Sequence, residues 1–313
     1  MWRRAWIPIL LASLLAAAAA AQQKQSLGGL PAKPAPEPAQ SDDDRPLTLE
    51  EIRALVARAI ANQHADDREL TEYDRTEHTV EREGGKEAAL TDSVEHVFPT
   101  GTGDVRVALQ RNGKAVDAMA VEQQWQYIEK ALAARSDPSD PAIRDEFQRE
   151  ERRERSHAEM IDAIGKAFHF NYQGRVTLNG RPTVELAFEP DASFRSSARY
   201  AAIFAHLGGT VWVDESSGQV VRAEAQLRDD VSFGAGIIAK VYRGSWLKIT
   251  QSEVTPGLWL PVLATYDIEG RKFVFPASWR GQIDATGYRH VGPPAQALQV
   301  VRREHSGAIT SER

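Results

Sequence analysis

The eight histidines of the chain are the residues whose spacing tests most directly for a metal site. Zinc enzymes commonly carry paired ligands such as HExxH, and the sequence contains no such pair. His157 shares a charged helical segment with Glu151, Glu154 and Glu159, but one histidine among carboxylates is typical of a solvated helix surface. The sequence therefore predicts no metal site and no cofactor.

Motifs for nucleophilic and phosphate chemistry are equally weak. No GxSxG motif surrounds a serine, and Ser196 lies in a polar segment without an evident partner. Gly234, Gly236 and Lys240 lack the P-loop spacing, so these glycines indicate a bulge or tight bend. Glycoside hydrolysis needs only two carboxylates, which any acidic chain supplies. We predict no catalytic residue, and a hydrolase is the least favoured function.

Apolar surface is the remaining source of function. Six aromatic residues fall on or near predicted strands in the second half of the chain, and they are Trp212, Trp246, Trp259, Tyr266, Phe275 and Trp279. Burial of one such side chain contributes about 1.5–3 kcal/mol. Either the six fill a core beneath helices, or part of their surface stays open as a pocket for an acyl chain or a similar ligand. We take them as the ligand-pocket candidates.

The strands that position these aromatic residues begin at Phe168. Residues 208–227, GGTVWVDESSGQVVRAEAQL, have the pattern of two strands joined by a turn at residues 215–218. In the second strand apolar residues alternate with Arg222 and Glu224. Alternation with a period of two indicates a sheet with one buried face and one solvated face.

The first half of the chain supplies the helices. Thr48 and Glu51 have the spacing of a capping box at the start of a helix over residues 48–62. Residues 73–82 and 88–98 read as a hairpin with a strongly charged outer face, and two further helices precede Phe168. The predicted fold class is α+β, with a large curved antiparallel sheet of about ten strands. This unclosed β-barrel has two or three helices covering its concave face.

The ends of the chain have a different composition. Residues 1–21 combine a basic start, an apolar stretch and a run of alanines, which predicts a cleavable signal peptide and no stable membrane span after cleavage. Residues 22–46 contain five prolines and predict a disordered linker. We predict a single half-barrel domain over residues 47–292 and a flexible tail over residues 293–313.

Charge and cysteine content limit the partners. Loss of Arg3 and Arg4 with the signal peptide leaves 36 basic and 44 acidic side chains, a net charge of −8. An acidic chain without a basic stripe is not expected to bind nucleic acid. The absence of cysteine excludes disulfides, thiolate metal sites and a lipoprotein anchor. We expect a soluble protein in the periplasm or outside the cell.

Several stretches resemble a known family. They lie within residues 69–288 and are YDRTEHTVEREGGK, QRNGKAV, LNGRPTVELAFEP, GGTVWVD, DVSFGAGIIAKVYRGS and GLWLPV. The chain is similar to exported bacterial proteins described as lipoprotein-sorting-like, and its strand–turn–strand pattern resembles the periplasmic lipoprotein-carrier superfamily. The resemblance implies an unclosed antiparallel barrel with helices in its mouth. It transfers no binding residue, because no motif matches the carriers residue for residue.

These observations favour a non-enzymatic carrier or binder of an amphiphile, either a lipid or a lipid-modified protein, in the cell envelope. The alternative is an envelope scaffold that has a filled core and meets a protein partner through sheet edges or the charged helix near residues 144–159. An open apolar cleft between sheet and helices favours the carrier, whereas a filled interior favours the scaffold.

Overall fold

The computed structural model of the chain consists of one antiparallel sheet and its covering helices. The residues that it describes are 45–84, 90–137, 139–198, 200–233, 238–273 and 275–311. The predicted signal peptide and most of the predicted linker lie outside the described residues.

The described residues form five helices, which are α1 (Leu49–Leu70), α2 (Ala118–Ser136), α3 (Pro141–Ala167), α4 (Ala201–Phe204) and α5 (Pro294–Ser311). The first strands are β1 (Tyr73–Glu83), β2 (Leu90–Pro99), β3 (Asp104–Arg111), β4 (Lys114–Ala115), β5 (Phe168–Leu178) and β6 (Arg181–Pro190). The later strands are β7 (Leu207–Asp214), β8 (Val220–Leu227), β9 (Val231–Phe233), β10 (Ala239–Val241), β11 (Trp246–Thr255), β12 (Leu258–Lys272) and β13 (Phe275–His290).

The strands form one sheet in the order β4-β3-β2-β1-β13-β12-β11-β8-β7-β6-β5, and β10 joins β9 to the end of β12. In the described residues β4 and β5 lie at opposite ends of this order and do not pair, so the curved sheet stays unclosed. The predicted fold class is confirmed. The strand count exceeds the predicted ten because β4, β9 and β10 are only two or three residues long.

The pairing register defines the two faces of the sheet. Directly opposed residues on antiparallel strands point to the same side. One row crosses most of the sheet and consists of Phe188, Gly209, Ala225, Leu247, Tyr266, Gly281 and Glu81. We call the face that carries this row the inner face and the opposite one the outer face.

Helices cover both faces, at different places. On the inner face, α1 packs against β6 and β7, while α3 and α4 pack against β8, β11 and β12. On the outer face, α2 and α5 enclose Phe98 of β2 and Val107 of β3. Three helices therefore cover the inner face, as predicted. The two other helices give β2 and β3 a second core.

Helix α5 occupies residues 294–311, where the sequence predicts a flexible tail. Ala297 and Val301 are fully buried, and Leu298 is nearly so. These residues share one helical side, which packs against Ile128 of α2. The small side chain of Ala297 allows the two helices to pack closely at this point. Among the described residues, no helix has both the length and the apolar composition of a membrane span.

Local sequence signals determine several element boundaries as predicted. The Thr48 hydroxyl accepts the N–H of Glu51, and the Glu51 carboxylate accepts the N–H of Thr48, which completes the capping box of α1. Asn112 and Asn179 each precede a glycine and adopt φ values of 51° and 52° in the turns after β3 and β5. Asparagine tolerates this left-handed conformation better than most residues, so these turns form without strain.

Gly281 allows two strands to be joined across a third. Tyr266 on β12 lies over Gly281 on β13, and its hydroxyl donates to Oε2 of Glu81 on β1 at 2.8 Å. A Cβ atom at position 281 would lie 2.9 Å from the Tyr266 hydroxyl oxygen and 2.8 Å from the carbonyl oxygen of Val80. Glycine is therefore needed for close packing at this point of the inner face.

We expect Gly281→Ala to lower the free energy of unfolding by about 1–3 kcal/mol, because the added methyl group overpacks the contact between Tyr266 and the backbone of β1. Gly174→Ala is the matched control, since a Cβ atom there meets nothing within 4 Å. Chemical denaturation of the two variants measures the difference. Equal unfolding midpoints would show that Gly281 has no packing role.

Candidate functional site

The structure separates the six candidate aromatic residues into three groups. Tyr266, Trp279 and Phe275 lie on the inner face. Trp279 pairs with Ile268, which is two residues from Tyr266 on β12, and Phe275 is four residues from Trp279 on β13, so all three side chains point the same way. Tyr266 is buried, Trp279 is half-buried and Phe275 is 69% exposed. These three residues run from the interior to one end of the sheet.

Trp212 and Trp246 lie on the outer face, away from the other candidates. Trp212 pairs with Arg222, whose guanidinium carbon is 5.1 Å from the indole centroid. Lys248 lies over Trp246 in the same way, with its Nζ atom 5.6 Å from the ring centroid. A cation over an indole ring shields part of its apolar surface. These two tryptophans belong to the polar face that the alternation around Arg222 predicts.

Trp259 is a packing residue at the start of β12. It is buried, and the Arg181 guanidinium carbon lies 4.9 Å from its ring centroid. Its backbone N–H donates to Oδ1 of Asp66 on α1 at 3.3 Å. The structure therefore places Trp259 in the contact between α1 and the sheet.

Side chains fill the inner face beneath α3 and α4. The buried residues from the helices are Met160, Ile161, Ala163, Ala167, Ile203 and Phe204. From the sheet they meet Leu247, Tyr266 and Ile268, all at most 5% exposed. Protein atoms alone bury this part of the candidate surface.

The inner face becomes exposed at the end of the β12–β13 hairpin. Phe233 and Trp279 are half-buried and pack against the filled core, and Phe275 beyond them is exposed. We call Phe233, Phe275 and Trp279 the open-end aromatics. Lys272 is exposed and is the direct cross-strand partner of Phe275, so a cation lies beside the apolar surface.

A cavity of about 330 Å³ lies elsewhere, beside the first half of α3. Its lining consists of Gly101, Phe147, Gln148, Glu150, Glu151 and Glu154. Burial raises the pKa of Glu150 above its ordinary value, against the effect of the neighbouring Arg153. None of the six candidate aromatic residues lines this acidic cavity, and its carboxylates would repel an anionic amphiphile.

A buried ion network occupies the inner face at β1–β3. Arg75 is 3% exposed and Glu77 is 2% exposed. Arg75 donates to Glu77 Oε1 at 2.7 Å and to Asp104 Oδ2 at 2.8 Å. Arg106 donates to Glu77 Oε2 at 2.6 Å and to Glu95 Oε2 at 3.1 Å. Two arginines and three carboxylates are therefore paired in one network, and Arg111 adds a third cation 3.6 Å from Glu95 Oε1.

Mutual pairing keeps this network charged. Burial alone would raise the pKa of Glu77, but the guanidinium groups of Arg75 and Arg106 outweigh burial and hold it below its ordinary value. Burial would also lower the pKa of Arg75, but Asp104 and Glu77 raise it well above its usual range. Nearby, burial raises the pKa of Tyr288 above its usual range. The network is therefore a structural unit whose members depend on one another.

The outer face of this hairpin is charged and carries the partly exposed pair His78–Asp92, but the inner face is charged too, which the sequence does not predict. Arg75, Glu77 and Glu95 point inward, whereas His96 and Phe98 lie on the side covered by α2. Alternation shows which residues share a face, but it does not show which face is covered. The sequence signal for the inward charges is the spacing of Arg75 and Glu77 on β1. Residues at i and i+2 share a face of a strand, and these two have opposite charges that can pair.

A second buried carboxylate lies between α1 and the sheet. Asp66 is 3% exposed, and its Oδ2 atom has no hydrogen-bond partner among the described residues. Burial raises its pKa to about 6, although the Trp259 N–H favours the charged form. Nothing in the sequence distinguishes Asp66 from the other carboxylates of α1.

Pairs of histidine and aspartate connect α1 to α3 at the same level. His64 on α1 lies 2.7 Å from Asp162 on α3, and His157 on α3 lies 2.9 Å from Asp67 on α1. Protonation of either histidine would add an attractive charge across the two helices. These two pairs hold α1 against α3, beside the apolar contact of α1 with the sheet.

Comparisons with known proteins give structural matches only. No protein-family model matches the chain, and no curated protein matches it. An outer membrane lipoprotein-sorting protein domain from Vibrio parahaemolyticus is 11% identical, with 75% of this chain and 92% of that chain covered and a TM-score of 0.29. A DUF1329 family protein from Desulfovibrio piger is 10% identical, with 77% and 93% covered and a TM-score of 0.28.

A LolA superfamily protein from Nitrosomonas europaea is 9% identical, with 78% of this chain and 93% of that chain covered and a TM-score of 0.26. The name of the Vibrio parahaemolyticus domain contains lipoprotein sorting, the family that the sequence motifs of this chain resemble. At these identities and TM-scores the likeness transfers no ligand or residue. The functional argument rests on the geometry of this chain.

We expect Glu77→Gln to lower the free energy of unfolding by about 3–5 kcal/mol, because it removes the buried carboxylate that bridges Arg75 and Arg106 and leaves each arginine with one charged partner. Glu72→Gln is the control, since Glu72 forms an exposed pair with His290 and should change stability by less than about 1 kcal/mol. Chemical denaturation compares the two. A small effect at both positions would contradict a structural role for the network.

We expect Asp66→Asn to stabilise the protein above pH 7 and to have little effect near pH 4. Because the folded-state pKa is about 6 and the ordinary value is 3.8, folding favours the protonated carboxyl, and its stabilising contribution is lost as the pH rises through about 6. The expected gain is about 1–3 kcal/mol in denaturation at pH 8. Asp145→Asn, at an exposed position on α3, controls for net charge. A gain that does not vary with pH would refute the assignment.

Proposed function

We propose that the chain is an exported, non-enzymatic binding protein of the cell envelope that takes the acyl chain of an amphiphile at the open-end aromatics. One observation carries this proposal. Along the inner face of the described residues, a filled apolar core passes into the half-buried Trp279 and then into Phe275, which is 69% exposed.

The exposure of neighbouring residues supports this location. Ile268 is buried, its cross-strand partner Trp279 is half-buried, and Phe275 is mostly exposed. On β12, Gly270 lies between Ile268 and Lys272 on this face, so β12 places no side chain there between the two pairs. A shallow apolar strip of this kind suits a linear chain of methylene groups better than a compact ligand.

The expected affinity of such a strip is modest. Each buried methylene group contributes about 0.8 kcal/mol, so contact with about eight of them gives roughly 6 kcal/mol before the entropic cost of binding. Lys272 beside Phe275 offers one cation to an anionic headgroup. An acyl chain therefore matches the site in apolarity, with Lys272 as the cation at the Phe275 end and Glu83 as the cross-strand partner of Trp279.

The filled interior gives the alternative function its own support. Met160 and Phe204 occupy the space against Tyr266 that an enclosed ligand would need. On this alternative the chain is an envelope scaffold, and the open-end aromatics contact a protein partner. Bound lipid in protein isolated from the envelope separates the two functions, because only a carrier or binder copurifies with it.

A non-enzymatic role agrees with the use of the buried charges. Arg75 and Arg106 both donate to Glu77, and Asp66 accepts from the backbone N–H of Trp259. Their places in the fold account for their burial without a reaction. The predicted signal peptide and the acidic mature chain support an envelope location without nucleic acid.

We expect Phe275→Ser to weaken binding of a fluorescent fatty acid about tenfold, because it removes the largest exposed apolar surface of the open-end aromatics. Tyr127→Ser is the matched control, since Tyr127 is an equally exposed aromatic residue on α2 and should leave binding unchanged. Fluorescence titration gives the dissociation constants, and native mass spectrometry of the exported protein reports bound lipid. If the protein neither takes up the fatty acid nor shows a bound lipid mass, the binder is excluded and the scaffold remains.

A further inference from the structure

Two hairpins meet at the open end of the sheet and expose apolar side chains together. The N–H of Phe273, in the β12–β13 turn, donates to the carbonyl oxygen of Ile238, next to β10, at 2.9 Å. Ile238 is 53% exposed and Phe273 is 49% exposed. We call these two residues the turn pair. They lie beyond the open-end aromatics and are held together by backbone contacts.

The backbone at Phe273 adopts a conformation that a bulky residue rarely takes. Its φ is 52°, in the left-handed region, and Asn112 and Asn179 adopt φ values of 51° and 52° in two other turns of this protein. Local turn chemistry favours asparagine or glycine at such a position. A phenylalanine there opposes the local preference of the chain. Such strain is most often found where a side chain serves a function.

The same two hairpins are basic in an acidic protein. Residues 231–243 and 270–281 contain five basic side chains and no acidic one, whereas the whole chain has 44 acidic and 38 basic side chains. Lys240 and Arg280 pair with aspartates just outside these segments. The five basic side chains against these two aspartates leave a formal charge of +3 at the ends of the two hairpins.

We propose that the turn pair and the surrounding basic residues dock this protein on the surface of an anionic lipid bilayer. An apolar side chain that enters the headgroup region and a basic cluster that stays above it are the two contributions a reversible membrane contact requires. Exposed apolar side chains next to basic ones suit an anionic bilayer, because a bilayer offers negatively charged headgroups above an apolar acyl-chain region and has no defined shape to match. Docking places the open-end aromatics at the lipid surface.

This inference goes beyond ligand binding and can fail independently of it. A protein partner at the same surface would be recognised by shape and would not depend on lipid charge. A free amphiphile in solution requires Phe275 and Trp279 but no contact of Phe273 with a membrane. Vesicle binding therefore tests the docking surface alone.

The test uses flotation of the exported protein with vesicles of phosphatidylcholine, with and without about equal parts of phosphatidylglycerol. We expect the protein to float with the anionic vesicles and to be released by salt. Phe273→Asn should reduce binding at least about tenfold. Because asparagine suits φ near 52°, this variant should unfold at the same or a higher denaturant concentration, so a loss of binding cannot come from misfolding.

Tyr127→Asn, at the exposed position on α2, is the matched control and should bind as the unaltered protein does. All variants carry the same N-terminal segment, so differences between them report on the hairpin. Equal binding of Phe273→Asn and Tyr127→Asn, or no preference for anionic vesicles, would overturn the docking surface. If Phe273→Asn still takes up the fatty acid, the proposed ligand binding stands, whether or not the vesicle experiment overturns the docking surface.

Discussion

An unclosed sheet of this width must have its inner face covered from one side to the other, and that requirement shapes the rest of the molecule. Over β6–β8, β11 and β12 the cover is apolar, because α1, α3 and α4 bring aliphatic and aromatic side chains. Over β1–β3 the same face carries Arg75, Glu77 and Arg106, which can be buried only because they are paired. Gly281 and Tyr266 join the two regions.

Among the described residues of the inner face, the open-end aromatics are partly or mostly exposed because of the lengths of the strands. β12 and β13 extend further than β11, so their hairpin continues beyond the packed region. Side chains that would be core residues in a shorter hairpin are exposed there, and Phe275 is the clearest case. A binding surface at this place requires no preformed cavity, and the filled interior beneath α3 does not oppose it.

Much of the architecture can be read from the sequence, because it depends on local signals. The capping box at Thr48, the Asn–Gly turns and the alternation around Arg222 each depend on neighbouring residues alone. Burial of a face depends on what packs against it, and so the inward charges of β1 and the helix after Pro294 are not predictable from local pattern. The candidate aromatics show the same limit, since Trp212 and Trp246 have strand spacing but point outward.

The central claim is that the apolar inner face is filled in its middle and open to ligand at the β12–β13 end. Photocrosslinking with a diazirine-labelled fatty acid, followed by peptide mapping of the exported protein, tests it most directly. The account predicts label in residues 231–243 and 270–281. Label concentrated in α1, α3 or β5–β7 would place the ligand beneath the helices and would contradict the account.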